Sequence, residues 1–584
     1  RAECVARAQG NPLYLTQLLS SQEGVFPDSL RHLVQSRFDK LAPEQRRALH
    51  YAAVLGNRFE LTLWREALGQ PGYLPTPDMR QGLLREVEPG SYLFVHDLVM
   101  HCLYDAMPTL LREQLHGEVA SLYRERDRVL YAQHLLRAND PAAFDALLVA
   151  MAEKRLACQY DSVLALARQC SAFAERAQGN FSFALLCGQA CSGLGQTVEA
   201  RAHLQRALAL AEQPQDQIEA ALGLAAVLNT LDCLDEEERL IEAMLPIAQA
   251  MQAHTALARL NHLRGNIYFP RGDYAECRRL HEEALSFARI GRDLQTEAKA
   301  LSGIGDSYYA QGRMQTAYEV FDQCVRLCER NGWAHVEAGN RSARGSAQLY
   351  LGQPEQALRD AMEAIECSAR LGNHRAQVFS RLTAAWVLVA GGQDALAEQE
   401  LTCALTLARN LGASRFEAIL LEGLARVALR QGERGLAQTL IMEAASLVER
   451  FELQRYIGPW VYGSLAMISE DVQLSQQALA TGEAQLTLAC LAHNALRFRV
   501  AAAETCLLAG NPEQAIWHGQ QMAALPESAS CAWINHHVRL IDVAGQWLHS
   551  ADRASGEKLK GMAREAQLMG FVATMPRLLQ VLDI

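Results

Sequence analysis

The sequence contains no CxxC pair, no long apolar run, no GxxxxGKS or GxxxxGKT stretch, and no GxSxG or HExxH. Each absence excludes a class of function. Without close cysteine pairs there is no zinc-ribbon spacing, and Cys324 to Cys328 is one helical face. Cys187, Cys191, Cys277 and Cys324 are expected on buried helix faces as small apolar side chains, so no metal site is expected. A membrane-spanning helix needs roughly twenty apolar residues, which this chain never offers. Gly193 and Gly195 in SGLGQTVEA lack the lysine and the preceding strand of a phosphate loop, so the sequence holds no complete ATP site. An excess of basic residues is also missing. Lys and Arg total 55 against 66 Asp and Glu, a net charge of −11, which argues against nucleic-acid binding. Paired carboxylates such as Glu282 and Glu283, or the run Asp235 to Glu238, have no facing partner and are expected to be solvated faces. No catalytic residue is expected, and this segment is read as no enzyme. The chain opens at Arg1 without Met or a signal-like stretch, which reads as part of a longer cytoplasmic protein.

What the sequence does have is a period of forty residues. Gly265, Gly305, Gly345, Ala385 and Ala425 recur in register with Gly272, Gly312, Gly352, Gly392 and Gly432, then with Cys277, Ala317, Ala357, Ala397 and Ala437. A small residue and the aromatic three places on, as in Gly265 with Tyr268, share one helical face and let a neighbour approach closely. The second glycine falls where the chain must turn, and glycine adopts left-handed dihedrals cheaply. Ala317, Phe321 and Cys324 form one stripe on the following helix. The unit is therefore helix, turn, helix, and a repeated unit of this size stacks into a solenoid. The frame resembles the tetratricopeptide repeat in a forty-residue form. The clearest units span 258–450, weaker ones extend it to 181–584, and the frame blurs between Leu453 and Thr487. The expected fold class is all-α, a small winged-helix-like domain followed by a right-handed tetratricopeptide superhelix, with a helical connector over 131–180.

The first 130 residues differ in kind. AECVARAQGNPLYLTQLL reads as helix, Gly-Asn-Pro turn, helix. SLRHLVQSRFDKL, EQRRALHYAAVLG and Leu61 to Leu68 follow as helices. LLREVE is expected to be helical too, then a turn at Pro89 and Gly90, a strand at Tyr92 to Val95, and a last helix. Several helices with one short strand suggest a winged helix over 27–130. Arg80 and Arg85 on a reading helix could serve DNA, but Glu86 and Glu88 break any basic stripe there.

This order resembles the tail of the STAND signalling ATPases, in which a nucleotide-binding domain and helical lid precede a winged helix and a superhelical sensor. GNPLYL stands where that family keeps a Gly-x-Pro-Leu turn, placing 1–26 at the end of the lid. The resemblance implies that Pro12 lies against the adenine of ATP or ADP and that His96, of the pair His96-Asp97, reaches the β-phosphate of ADP. Val95 stands where members often have Met. Their outputs include adenylate or guanylate cyclases ahead of the ATPase and LuxR-type DNA-binding domains after the repeats. If Ile584 is a native end, the cyclase type is favoured. A plain repeat scaffold is the third reading.

The concave side of such a superhelix is lined by the first helices of the repeats. Readable there are Arg259, His262, Asn266 and Phe269, then Lys299, Ser302, Asp306 and Tyr309, and later Phe379 and Trp386. Mixed aromatic and polar groups suit a peptide or a protein segment. The expected partners are such a ligand and the nucleotide-binding and output domains of the parent, with no membrane and no nucleic acid.

Overall fold

The computed structural model describes residues 28–80, 83–550, 553–572, 574–575 and 577–578. The lid end expected over 1–26, with Pro12, lies outside the described residues. The chain divides into two compact units, Arg1–Val227 and Leu228–Ile584.

In the first unit, helices Asp28–Asp39 and Pro43–Leu55 lead into a three-stranded antiparallel sheet, with helix Leu61–Leu68 between its first and second strands and helix Asp97–Ala106 after its last. The strands β1 (Arg58–Glu60), β2 (Leu84–Glu88) and β3 (Ser91–Phe94) lie in the order β1-β3-β2. Phe59 pairs with Tyr92 and Leu84 with Phe94. The expected strand at Tyr92 is therefore found, but two others accompany it. LLREVE corrects the helical expectation. Leu, Arg and Glu favour helix weakly, while the turn at Gly90 (φ 82°) lays this segment along β3, and pairing outweighs propensity. Arg85, Glu86 and Glu88 consequently lie on a strand, and Arg80 ends the short helix Pro77–Arg80. Behind the sheet, Trp64 is fully buried and donates Nε1–H to the Ala48 carbonyl at 2.8 Å. Phe59 meets the Trp64 ring edge-on at 5.0 Å. Helix pairs follow to the end of this unit.

In the second unit the forty-residue frame is visible in the helix starts. First helices run His254–Arg271, Leu294–Ala310, Ala334–Tyr350, His374–Ala390 and Ser414–Arg430. Second helices run Tyr274–Gly291, Met314–Asn331, Pro354–Arg370, Asp394–Asn410 and Arg434–Arg450. Gly272, Gly312, Gly352, Gly392 and Gly432 all turn with positive φ, between 75° and 84°. The small-residue frame is tight: a Cβ on Gly305 would stand 2.5 Å from Phe321, and one on Gly265 2.8 Å from His281. Cys187, Cys191, Cys277 and Cys324 are buried, as their helix faces imply.

Where the frame blurs, the helices shorten to Gly458–Ile468 and Val472–Gln485, and 453–457 leave the helical path. The helices that follow, Ala492–Leu508, Pro512–Ala523, Ala532–Ser550 and Arg553–Met569, return to the middle repeats. Tyr274 donates its hydroxyl to the Ala489 carbonyl at 3.0 Å, and Thr316 donates to Glu527 at 2.7 Å. Tyr350 meets Trp533 edge-on at 5.4 Å. No strand occurs among the described residues beyond Phe94, and no helix among them is long and apolar enough to cross a membrane.

Candidate functional site

The inner wall of the repeats bounds a cavity of about 450 Å³. Phe269, Asp306, Tyr309, Phe379 and Trp386, all legible in the sequence, line it. Arg259, His262, Asn266 and Lys299 do not. Arg259 pairs with Asp293 at 3.0 Å. The His262 ring lies tilted against His281, 5.2 Å between centroids, and burial together with the charges of His281 and Lys299 disfavours its cation. Asn266 approaches the His262 ring at 3.5 Å. Burial and the Arg259 charge lower the Lys299 ammonium.

The cavity is not an open trough. Tyr456 and Ile457, from the segment where the frame blurs, and Leu491 and His493, at the start of the next helix, form its other side. Next to it the inner space is filled. Trp386 packs on Trp460 at 5.4 Å and on His493 at 6.0 Å. Beyond them Arg497 lies over the rings of Tyr350, Trp460 and Trp533 at 5.5, 5.1 and 5.2 Å.

Its electrostatics come from few groups. His335, Arg375 and Arg415 occupy one register position in three successive repeats, and all three line the cavity. Arg415 spreads over Phe416 at 5.4 Å and Tyr456 at 5.1 Å. Burial and the neighbouring Arg375 charge both disfavour its cation. The only carboxylate on the lining is Asp306. It is reachable by solvent inside the cavity yet ringed by protein, and this desolvation pushes its carboxyl up to about 7. Burial and the nearby Arg497 and Arg415 charges push His493 down to about 3. Tyr309 Oη, Trp386 Nε1 and His493 Nδ1 are buried without a hydrogen-bond partner. No group of three metal-ligating side chains occurs among the described residues.

Sequence reading missed Arg375, Arg415, Tyr456 and His493. The first two were accessible through the register, one turn before Phe379 and Ile419. The other two come from outside the regular frame, and only the fold brings them to the wall.

In the first unit His96 is buried and caps helix Asp97–Ala106: its Nδ1 accepts from the Leu98 N–H at 3.1 Å, leaving the ring proton on Nε2. In the same unit, His116 and His134 share a buried hydrogen bond, Nδ1 to Nδ1, at 2.8 Å, and the Tyr104 hydroxyl meets His116 Nε2 at 2.7 Å.

A tetratricopeptide-repeat family model matches residues 256–330. Among solved structures, the chain is similar to the STAND protein with a tetratricopeptide repeat sensor from Pyrococcus horikoshii, at 16% identity and a TM-score of 0.52, over 77% of this chain and 69% of that one. It is more distantly similar to the apo form of RapI, at 13% identity and a TM-score of 0.44, over 63% of this chain and 97% of that one. A Rap protein complexed with competence and sporulation factor stands at 14% and 0.44, over 63% and 99%. At 16% identity the likeness to the first of these is one of fold. The second unit is built of tetratricopeptide-type helical repeats.

Proposed function

We propose that this chain is the sensor portion of a STAND-type signalling ATPase, and that an occupant of the repeat cavity biases a nucleotide-dependent switch. The observation that carries the sensor reading is the cavity itself, with aromatic walls and few polar groups, the usual character of a ligand site. The STAND assignment is supported by the order of the chain: a winged-helix-like sheet, then His96-Asp97 opening a helix, then the repeats. In this reading Pro12 and His96 contact ATP or ADP held mainly by the parent's nucleotide-binding domain. The occupant binds the open state more tightly than the closed one, and that difference in affinity is all it can contribute. The output is an adenylate or guanylate cyclase; a LuxR-type regulator and a plain adaptor are the alternatives.

The test uses the parent protein with His96→Asn and His96→Ala. Asparagine keeps a side-chain acceptor for the Leu98 N–H, whereas alanine also removes the cap. If His96 reads the β-phosphate, both variants lose a hydrogen bond made to a charged group only in the closed state, about 1.5–3 kcal/mol. Both should release ADP faster and give output without inducer. Inducible output with unchanged ADP retention in the asparagine variant makes His96 a structural cap alone.

A further inference from the structure

We propose that the cavity takes a small organic anion, a carboxylate or phosphate monoester on an aromatic or apolar body, with its anionic group between Arg375 and Arg415. The proposal deepens the sensor reading by naming the chemistry of the occupant.

Two guanidinium groups line one partly open pocket, Arg375 exposed at its mouth and Arg415 half-buried, and neither has an ion-pair partner among the described residues. Arg415 has only the faces of Phe416 and Tyr456 for company, and the charge of Arg375 works against it. Two other arginines on these repeats are neutralised by carboxylates: Arg344 holds Asp322 and Asp360 at 2.8 and 2.6 Å, and Arg381 holds Glu400 at 2.5 Å. The one carboxylate on the cavity wall, Asp306, makes no ion pair among the described residues. It is not the counter-ion of the arginines. An anion arriving from outside supplies what the chain withholds, and guanidinium pairs suit planar carboxylate and tetrahedral phosphate alike.

The rest of the wall sets the body of the ligand. Phe269, Tyr309, Phe379, Phe416 and Tyr456 offer aromatic surface. Tyr309, Trp386 and His493 each keep a polar atom without a partner on this wall, and Trp386 and His493 are 8% and 7% exposed. An extended peptide is disfavoured, because beyond Trp386 the inner space is occupied by Trp460, His493 and Arg497. A volume near 450 Å³ lies within the usual range for small-molecule sites. An organic cation would find aromatic faces but also two arginines.

The probe is the aromatic anion 8-anilinonaphthalene-1-sulfonate, titrated into the full chain and followed by fluorescence. One saturable site is expected. Joint R375Q and R415Q substitution should weaken it by about tenfold or more, as loss of charge-assisted contacts does. Asp306→Asn should act in the opposite direction and tighten it, which keeps the test decisive if the double variant melts early. Competition then separates the sources: displacement by phenylacetate assigns a carboxylate, by phenyl phosphate a phosphate monoester. Absence of a saturable site, equal binding by the folded double variant, or equal displacement by 2-phenylethanol or phenethylamine overturns the proposal. Failure of the STAND reading would appear separately, as output in the parent that does not respond to a compound the cavity binds.

Discussion

Arg497 donates its Nε–H to the Tyr350 hydroxyl at 3.2 Å while its guanidinium lies over the same ring, 5.5 Å from the centroid. The two residues are 147 positions apart, so one buried cation ties the third regular repeat to the helices that follow the break in the frame. Trp460 and Trp533 cover it further, and the buried Glu422 carboxyl and Arg426 guanidinium stand in the same neighbourhood.

Replacing Arg497 by methionine keeps much of the volume but removes the charge. The aromatic contacts lose their electrostatic part, and Glu422 loses a compensating cation. A loss of about 2–4 kcal/mol is expected, read as a lower midpoint in a denaturant titration. An unchanged midpoint would show that Arg497 is only filling space.

Two glycines separate packing from backbone strain. Gly305→Leu places side-chain atoms where Phe321 already stands, 2.5 Å from an added Cβ, and should cost about 1–3 kcal/mol or more by overpacking. Gly432→Ala meets nothing within 4 Å but holds φ at 84°, so only the dihedral penalty applies, about 1 kcal/mol. Thermal melts of the two variants should differ in that order, and the reverse order would refute the assignment of Gly305 to a helix contact.

The His116 and His134 pair predicts acid sensitivity in the first unit. Burial pushes His116 down to about 3, with the His134 charge adding to it, and pushes His134 down to about 4. Both lie below the unfolded value of about 6.5, so the unfolded chain binds more protons across that window. Stability from this pair is fully present above about pH 6.5 and is lost as pH falls toward 3. The loss should reach a few kcal/mol, visible as lower protection factors, exchange rates being corrected for their intrinsic pH dependence, in helix Thr109–Tyr123 between pH 6.5 and 4.5. His134→Gln, which does not titrate, should flatten that dependence.

Because this sequence has no phosphate loop, the purified chain is expected not to turn over ATP. Phosphate release above a buffer blank, retained through repurification, would contradict this.

How much was legible depended on whether a residue acts locally. The turn glycines, the helix stripe at Ala317, Phe321 and Cys324, and five cavity-lining residues follow from period and helical spacing, which neighbours in sequence enforce. LLREVE was misread because its propensity is local while its hydrogen-bond partner, β3, is recruited across a turn. Tyr456 and His493 carry no pattern at all. Their place on the cavity wall is decided by contacts such as Asn494 Nδ2 with the Tyr456 carbonyl, 2.5 Å, made after the chain has reversed.

Four of the five turn glycines have a second neighbour besides the turn. A Cβ on Gly272 would stand 2.8 Å from Arg455, one on Gly312 3.2 Å from Ala492, one on Gly352 3.0 Å from Ala532, and one on Gly392 3.5 Å from Val572. Stacked repeats ordinarily depend only on adjacent repeats, so their number can drift and each can fold as it is made. Here the middle of the stack is completed by residues made far later, and contacts at such separation are slow to form. On the ribosome the central repeats would wait, incomplete, for the last part of the unit to emerge. In evolution a gained or lost repeat would put every later residue against the wrong glycine, which makes the repeat count of this unit a fixed dimension rather than a tunable one.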